Sequence, residues 1–360
     1  MTIPKNVMLP SDLERRQIFY TLKRWSSYTA WNRILGYFQA WADIHKRSLQ
    51  IASAQGFESE TGLPESDYVM LLQDLAYCEE GVQRLHTGDK RVFQCGPMGA
   101  FMKAGKRMLA HSVRRLMYIE SGDIGINVEK TPLWDEFVVA LTRLEQAWSE
   151  CSSIVEPDYM GRPTNTVDLP YGVWLQENLP KMPFPDPLPQ VPDPSKDVLV
   201  RTGEMVECSG IWEPVEVPAR KLVVSLFKPE PPKGPFPIIG CMNYLHGGTK
   251  VPKASLETDT DNIDVNATWR LLWRDDRYED GTIPEEEKGY VFLSPEEPKP
   301  QAPAPVRVDS KLVVLESGQL APVAGRWLHE HDLHVWVQIA QGEALPLHEG
   351  RKVRWILAVA

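Results

Sequence analysis

This sequence has little with which to cross-link itself, enter a membrane or bind a polyanion. Cysteine is scarce: Cys78, Cys95, Cys151, Cys208 and Cys241 are odd in number, far apart and without a C-x-x-C pair. That pattern excludes a disulfide framework and predicts reduced thiols. No apolar run reaches the ~18 residues of a membrane span. The opening MTIPKNVMLPSDLERRQ has no apolar core of a signal peptide, so a cytoplasmic protein is expected. Positive charge is in deficit, with 39 basic against 49 acidic residues and a net charge of −10. A surface of that sign repels phosphate backbones and anionic lipid, so neither nucleic acid nor membrane is expected as a partner. Catalytic signatures are missing as well: there is no G-x-S-x-G, P-loop, H-E-x-x-H or G-x-G-x-x-G run. No catalytic residue, metal or cofactor is therefore assigned.

Proline, by contrast, is abundant, with 31 residues where ~5% usage would give about 18. It divides the chain. Residues 1–156 read as a helical bundle. Ser11 and Glu14 form a capping-box pair, and Ile18, Leu22, Trp25, Tyr28, Trp31, Leu35, Phe38 and Ala42 follow at helical spacing, predicting one helix to about Gln50. A second helix is expected from Pro64 to near His86. A third follows Pro97, with Phe101, Met108, Val113, Leu116 and Met117 buried, and a fourth takes Thr131 as N-cap and Pro132 as first helical residue. Residues 157–196 are a proline-rich interdomain strap in which neither helix nor central strand should persist. Beyond it come β-branched and aromatic runs: 222–227, 240–245, 268–273, 311–316, 334–340 and 353–359. The expected fold is α+β, a helical bundle followed by an antiparallel β region.

The β region repeats itself. Gly203, Gly210 and Trp212 recur as Gly318, Gly325 and Trp327, and Gly248/Pro252 has its counterpart in Gly342/Pro346. Two related modules follow, 197–294 and 311–360, joined by a proline-rich linker at 295–310. Gly210 and Gly325 are expected at positive φ and the tryptophans in the module cores. The first module alone carries an acidic excursion: residues 1–156 hold 18 basic and 19 acidic side chains, the remainder 21 and 30. Within it, 276–287 imitates a calcium loop but places Tyr278 where a carboxylate is needed. His329-Glu330-His331-Asp332-Leu333-His334 contains metal-capable groups, yet reads best as a hairpin tip. Cys95, before a helix start, has no histidine identifiable as its base.

The helical half, the strap and the repeated modules resemble a family of bacterial immunity proteins, those encoded beside polymorphic toxins or type VI secretion effectors. Thr202-Gly203, Ser209 to Pro214, Cys241 to Gly248 and Ser317 to Trp327 carry the resemblance; the second copy differs in having Ala324 for Ser209. The resemblance implies a non-enzymatic inhibitor that neutralises one cognate toxin. A cytoplasm-acting nuclease is the expected partner, because nuclease surfaces are basic and the excursion is acidic. Its expected contacts are Asp259, Asp261, Asp264, Asp275, Asp276, Asp280, Glu285 and Glu286, with Tyr278 and Tyr290 as anchors. A helical surface through Trp25, Trp31 or Trp41 competes with this site. The alternative functions are an effector chaperone or adaptor of a secretion system and a carbohydrate-active enzyme using Asp259 or Asp276.

Overall fold

The helical face that opens at Ser11 is broken in two. In the computed structural model, which describes residues 6–156, 158–159, 162–163, 169–194, 198–217, 234–258, 260–293 and 313–358, α1 spans Asp12–Trp25 and α2 spans Tyr28–Ala54. The capping box is present: Ser11 N donates to Glu14 Oε2 at 2.8 Å, and Glu14 N donates to Ser11 Oγ at 3.3 Å. The single helix expected to Gln50 instead stops at Ser26-Ser27. There the hydroxyls satisfy the helix ends themselves: Ser26 Oγ donates to Leu22 O at 2.8 Å, Ser27 Oγ donates to Arg24 O at 2.6 Å, and Ser27 Oγ accepts from Ala30 N at 3.1 Å.

Helix α3, Glu65–His86, follows Pro64 as expected. Next come α4, Ala100–Arg107, a π turn over Met108–Val113, and α5, Arg114–Glu120. The extra residue of a π turn rotates the face beyond it. Leu116 is accordingly buried while Met117, expected in the core, is 63% exposed. Helix α6 spans Trp134–Cys151 and starts two residues later than expected. Thr131 does not cap it, because its Oγ1 donates to Asn127 O and accepts from Gly62 N. Within the strap, β1 (Asp158–Tyr159) pairs with β2 (Arg162–Pro163), and a short helix α7, Val173–Asn178, corrects the expectation of none. It occupies the proline-free stretch between Pro170 and Pro180 and buries Leu175.

The chain divides into two compact units, each drawing on both helical and β segments: 1–36, 78–106 and 143–297; and 37–77, 107–142 and 298–360. In the first, Trp31 is stacked on Phe101 at 4.0 Å and edge-on to Trp148 at 5.2 Å. In the second, Trp41 and His45 pack against Phe137. Trp25, Trp31 and Trp41 are at most 2% exposed, so none forms a helical docking surface.

Each unit contains one β module, and the two have the same topology. The first comprises β3 (Leu199–Arg201), β4 (Gly210–Val215), β5 (Asn243–Leu245) and β8 (Thr268–Arg274), ordered β3-β8-β4-β5; a hairpin of β6 (Ala254–Glu257) and β7 (Asn262–Val265) is its addition. The second comprises β9 (Val314–Glu316), β10 (Gly325–His329), β11 (Asp332–Ile339) and β12 (Arg354–Ala358), ordered β9-β12-β10-β11. Register is also shared: Trp269 lies opposite Val200 and Pro214, and Trp355 lies opposite Leu315 and His329. The turn bonds repeat too, Gly203 N to Val251 O and Gly318 N to Leu345 O, with φ of 88° and 92° at the two glycines. Trp212, Trp269, Trp327 and Trp355 are buried in the cores. The runs 222–227 and 295–310 lie outside the described residues.

The remaining glycine pair is less alike than expected. Gly210 has the expected positive φ, at 158°, and it also needs space: a Cβ there would sit 2.2 Å from the Trp273 carbonyl oxygen. At Gly325, φ is not positive, and a Cβ would meet only the Leu357 side chain, at 2.6 Å. Gly210→Ala should therefore cost about 2 kcal/mol or more by forcing two backbones apart, and Gly325→Ala clearly less, because a leucine can turn away. Thermal unfolding of the two variants checks this; equal losses would refute it.

Candidate partner-binding site

Beyond β8 the chain enters the acidic loop, where buried and exposed side chains alternate in purpose. Asp275 is fully enclosed. Its carboxylate accepts from Arg277 Nε at 2.8 Å, Arg277 NH2 at 2.7 Å and the Tyr244 hydroxyl at 2.8 Å. Arg277 also reaches the end of α1, donating to Lys23 O at 3.0 Å and Ser26 Oγ at 2.7 Å. Tyr278 and Glu287 serve the start of α2. Tyr28 N donates to the Tyr278 hydroxyl at 2.7 Å, Thr29 N donates to Glu287 Oε2 at 3.0 Å, and the Tyr278 hydroxyl donates to Glu287. The loop thus sets a cation at the C-terminus of one helix and an anion at the N-terminus of the next, the favourable sense for both dipoles. The two serines break the helix; the loop fills the break.

The electrostatics follow from this enclosure. Burial alone would raise the Asp275 carboxyl, but Arg277 and Lys90 outweigh it and hold the group below its usual range. Lys90 donates to Arg277 O at 2.6 Å and lies 4.3 Å over the Tyr278 ring; burial lowers its ammonium to about 8, although Asp275 partly opposes this. Burial pushes the Tyr278 and Tyr290 hydroxyls well up. A second buried carboxylate, Glu213 of β4, is held by Arg15 of α1 at 2.8 Å and Arg270 of β8 at 2.6 Å.

The remaining acids of the loop point outward. Asp276, Asp280, Glu285 and Glu286 are exposed. Asp280 accepts from Thr282 N and Oγ1, which holds its carboxyl low. Glu286 pairs with Lys23 at 2.7 Å and Glu285 with Lys288 at 2.7 Å. Asp261 and Asp264 are exposed on the β6–β7 hairpin, where Asp264 stands opposite Ser255. Asp259 lies outside the described residues. Asp275, Tyr278 and Tyr290 require correction: at 6%, 1% and 8% exposure they are core groups that anchor the loop and are not surface contacts. Exposed apolar side chains do occur along the segment, at Ile283, Val291 and Leu293.

Sequence reasoning missed Arg277, Lys90, Glu287 and Glu213. The one available signal was a lone arginine inside an acidic run beside a misplaced tyrosine. Elsewhere, the histidine-rich stretch is a hairpin tip, with His329 Nδ1 accepting from the backbone N–H groups of His331 and Asp332. Among the described residues no group of three or more His, Cys, Asp or Glu side chains is placed to hold a metal ion, and no helix is long and apolar enough to cross a membrane. Cys78, Cys151 and Cys241 are free and buried, and burial pushes their thiols up.

The acidic loop that follows the first β module is clamped from beneath by buried ion pairs. The chain belongs to the bacterial immunity proteins. Residues 9–165 match the family model Immunity protein 71, and residues 191–291 match Immunity protein 72. Comparison with curated proteins and with solved structures finds no match. Immunity protein families act on a cognate toxin and are generally non-catalytic.

Proposed function

We propose that this protein stays in the cytoplasm and neutralises one cognate toxin, a basic nuclease domain delivered by type VI secretion, by covering its active site or blocking its assembly. The observation that carries the reading is the acidic loop. Its exposed Asp276, Asp280, Glu285 and Glu286 stand on a base fixed by buried ion pairs, within the segment matching Immunity protein 72. Such carboxylates raise the encounter rate with a basic partner and set register, while apolar contacts carry most of the affinity. Ile283, Val291 and Leu293 take the anchoring role that the buried tyrosines cannot. Asp261 and Asp264 add exposed negative charge on the β6–β7 hairpin of the same module.

The test uses the toxin encoded beside this gene. Deleting the immunity gene should kill cells that carry that toxin; a deletion that only lowers secretion points to an adaptor instead. With purified partners, the triple variant Asp276→Lys, Asp280→Lys, Glu285→Lys should associate about 10-fold more slowly at low salt while unfolding within ~0.5 kcal/mol of wild type. An unchanged association rate would show the loop to be a solvated face only.

A further inference from the structure

The corresponding edges of the two modules are finished differently. In the first module the edge strand β5 is three residues long and wholly buried, and the Asn243 side chain donates to Leu169 O at 3.0 Å. In the second, the equivalent strand β11 is eight residues long. It is paired on one side with β10, and among the described residues no strand pairs with its other side. Unpaired N–H and C=O groups along such an edge are a template for another strand. Natural sheets usually blunt long edges with lysine, proline or an inward charge, yet residues 333–339 contain none of these. The register shift at Leu328/His329 lies at the hairpin end and leaves the rest of β11 regular.

The sequence of this edge also indicates what covers it. Residues 333–339, Leu-His-Val-Trp-Val-Gln-Ile, read nearly the same in both directions about Trp336. In antiparallel self-pairing centred there, Val335 faces Val337 of the other copy and Trp336 faces itself. Each pair matches in size and polarity, and no like charges meet. Val335, Val337 and Ile339 already pack on the module core, so pairing would continue that core across the axis. Trp336 lies on the opposite face, 49% exposed, with the Arg326 guanidinium 4.2 Å over its ring. An isologous two-fold contact needs a patch complementary to itself, and a near-palindromic strand is one.

We propose that β11 is a dimerisation edge: two copies of this chain pair antiparallel through residues 333–339 on a two-fold axis at Trp336, making one continuous sheet of two second modules. Sedimentation of the full chain at tens of micromolar should give twice the chain mass. Trp336→Glu and Trp336→Lys, each placing like charges on the axis, should sediment as monomers with unchanged circular dichroism, and an equimolar mixture of the two should recover the dimer. Trp336→Cys should form a disulfide-linked dimer on mild oxidation where wild type does not, since facing Cα atoms ~4.5–5.5 Å apart lie within disulfide reach. A monomeric wild type overturns the proposal. So does a dimer that survives both charged substitutions, because that dimer must form elsewhere.

Discussion

Asp275→Ala is expected to lower the unfolding free energy by about 3–5 kcal/mol, the range for removing one partner from a buried ion pair. The substitution leaves Arg277 5% exposed, with Glu287 at 3.7 Å as its nearest remaining carboxylate, and strands the Tyr244 hydroxyl. It also loosens the guanidinium that closes the end of α1, so the loss spreads to the helix break. The adjacent Asp276 is exposed, and Asp276→Ala should change stability by no more than ~0.5 kcal/mol. Urea unfolding of the two variants makes the comparison. A loss at Asp275 no larger than at Asp276 would contradict the enclosure described above.

Stability should also fall steeply under mild acid. Burial lowers the imidazoles of His45 and His246 from 6.5 to about 4, nearby backbone carbonyls offsetting only part of the shift. Between pH 6.5 and 4 the unfolded chain therefore binds protons that the folded chain refuses. The stability present above pH 6.5 is lost as pH drops through this window, at about 1.4 kcal/mol per pH unit for each histidine. From pH 7 to 5 the expected loss is about 2 kcal/mol per histidine. Asp275 adds little to this slope, because the unfolded aspartate takes up its proton only near its ordinary value of 3.8, so the loss it causes falls mainly below about pH 4. His45→Gln and His246→Gln should each flatten the pH dependence of urea unfolding. A slope that survives both substitutions would assign the acid loss to carboxylates.

The legible features were those written locally. Glycine and tryptophan at a fixed offset gave away the duplicated module, because turn geometry and a buried indole tolerate few substitutes. Helical spacing located α3 and the start of α1, where a capping box is spelled out in four residues. The helix break was hidden for the opposite reason. Apolar spacing runs straight through Ser26-Ser27, and the partners that satisfy the broken ends lie about 250 residues further on. The acidic loop misled for a related reason: charge patterning cannot distinguish a carboxylate in water from one locked to an arginine two residues away. The π turn that exposes Met117 likewise has no marker in composition.

The loop in the helix break constrains how immunity genes of this kind can recombine. Arg277, Tyr278 and Glu287 belong to the segment matching Immunity protein 72, and the helix ends they satisfy belong to the segment matching Immunity protein 71. A crossover in the strap would join helices to a loop selected against a different break. The chimera would carry an arginine and a glutamate buried without their counterparts, together with the Tyr28 and Thr29 N–H groups stripped of their loop acceptors. On the binding surface proposed above, an exchange between lineages is therefore safe only if the crossover points spare the buried residues and exchange the exposed ones: Asp276, Asp280, Glu285 and Glu286. The same proposal expects new toxin specificities to arise in this lineage by point changes between the anchors more readily than by exchange of whole halves.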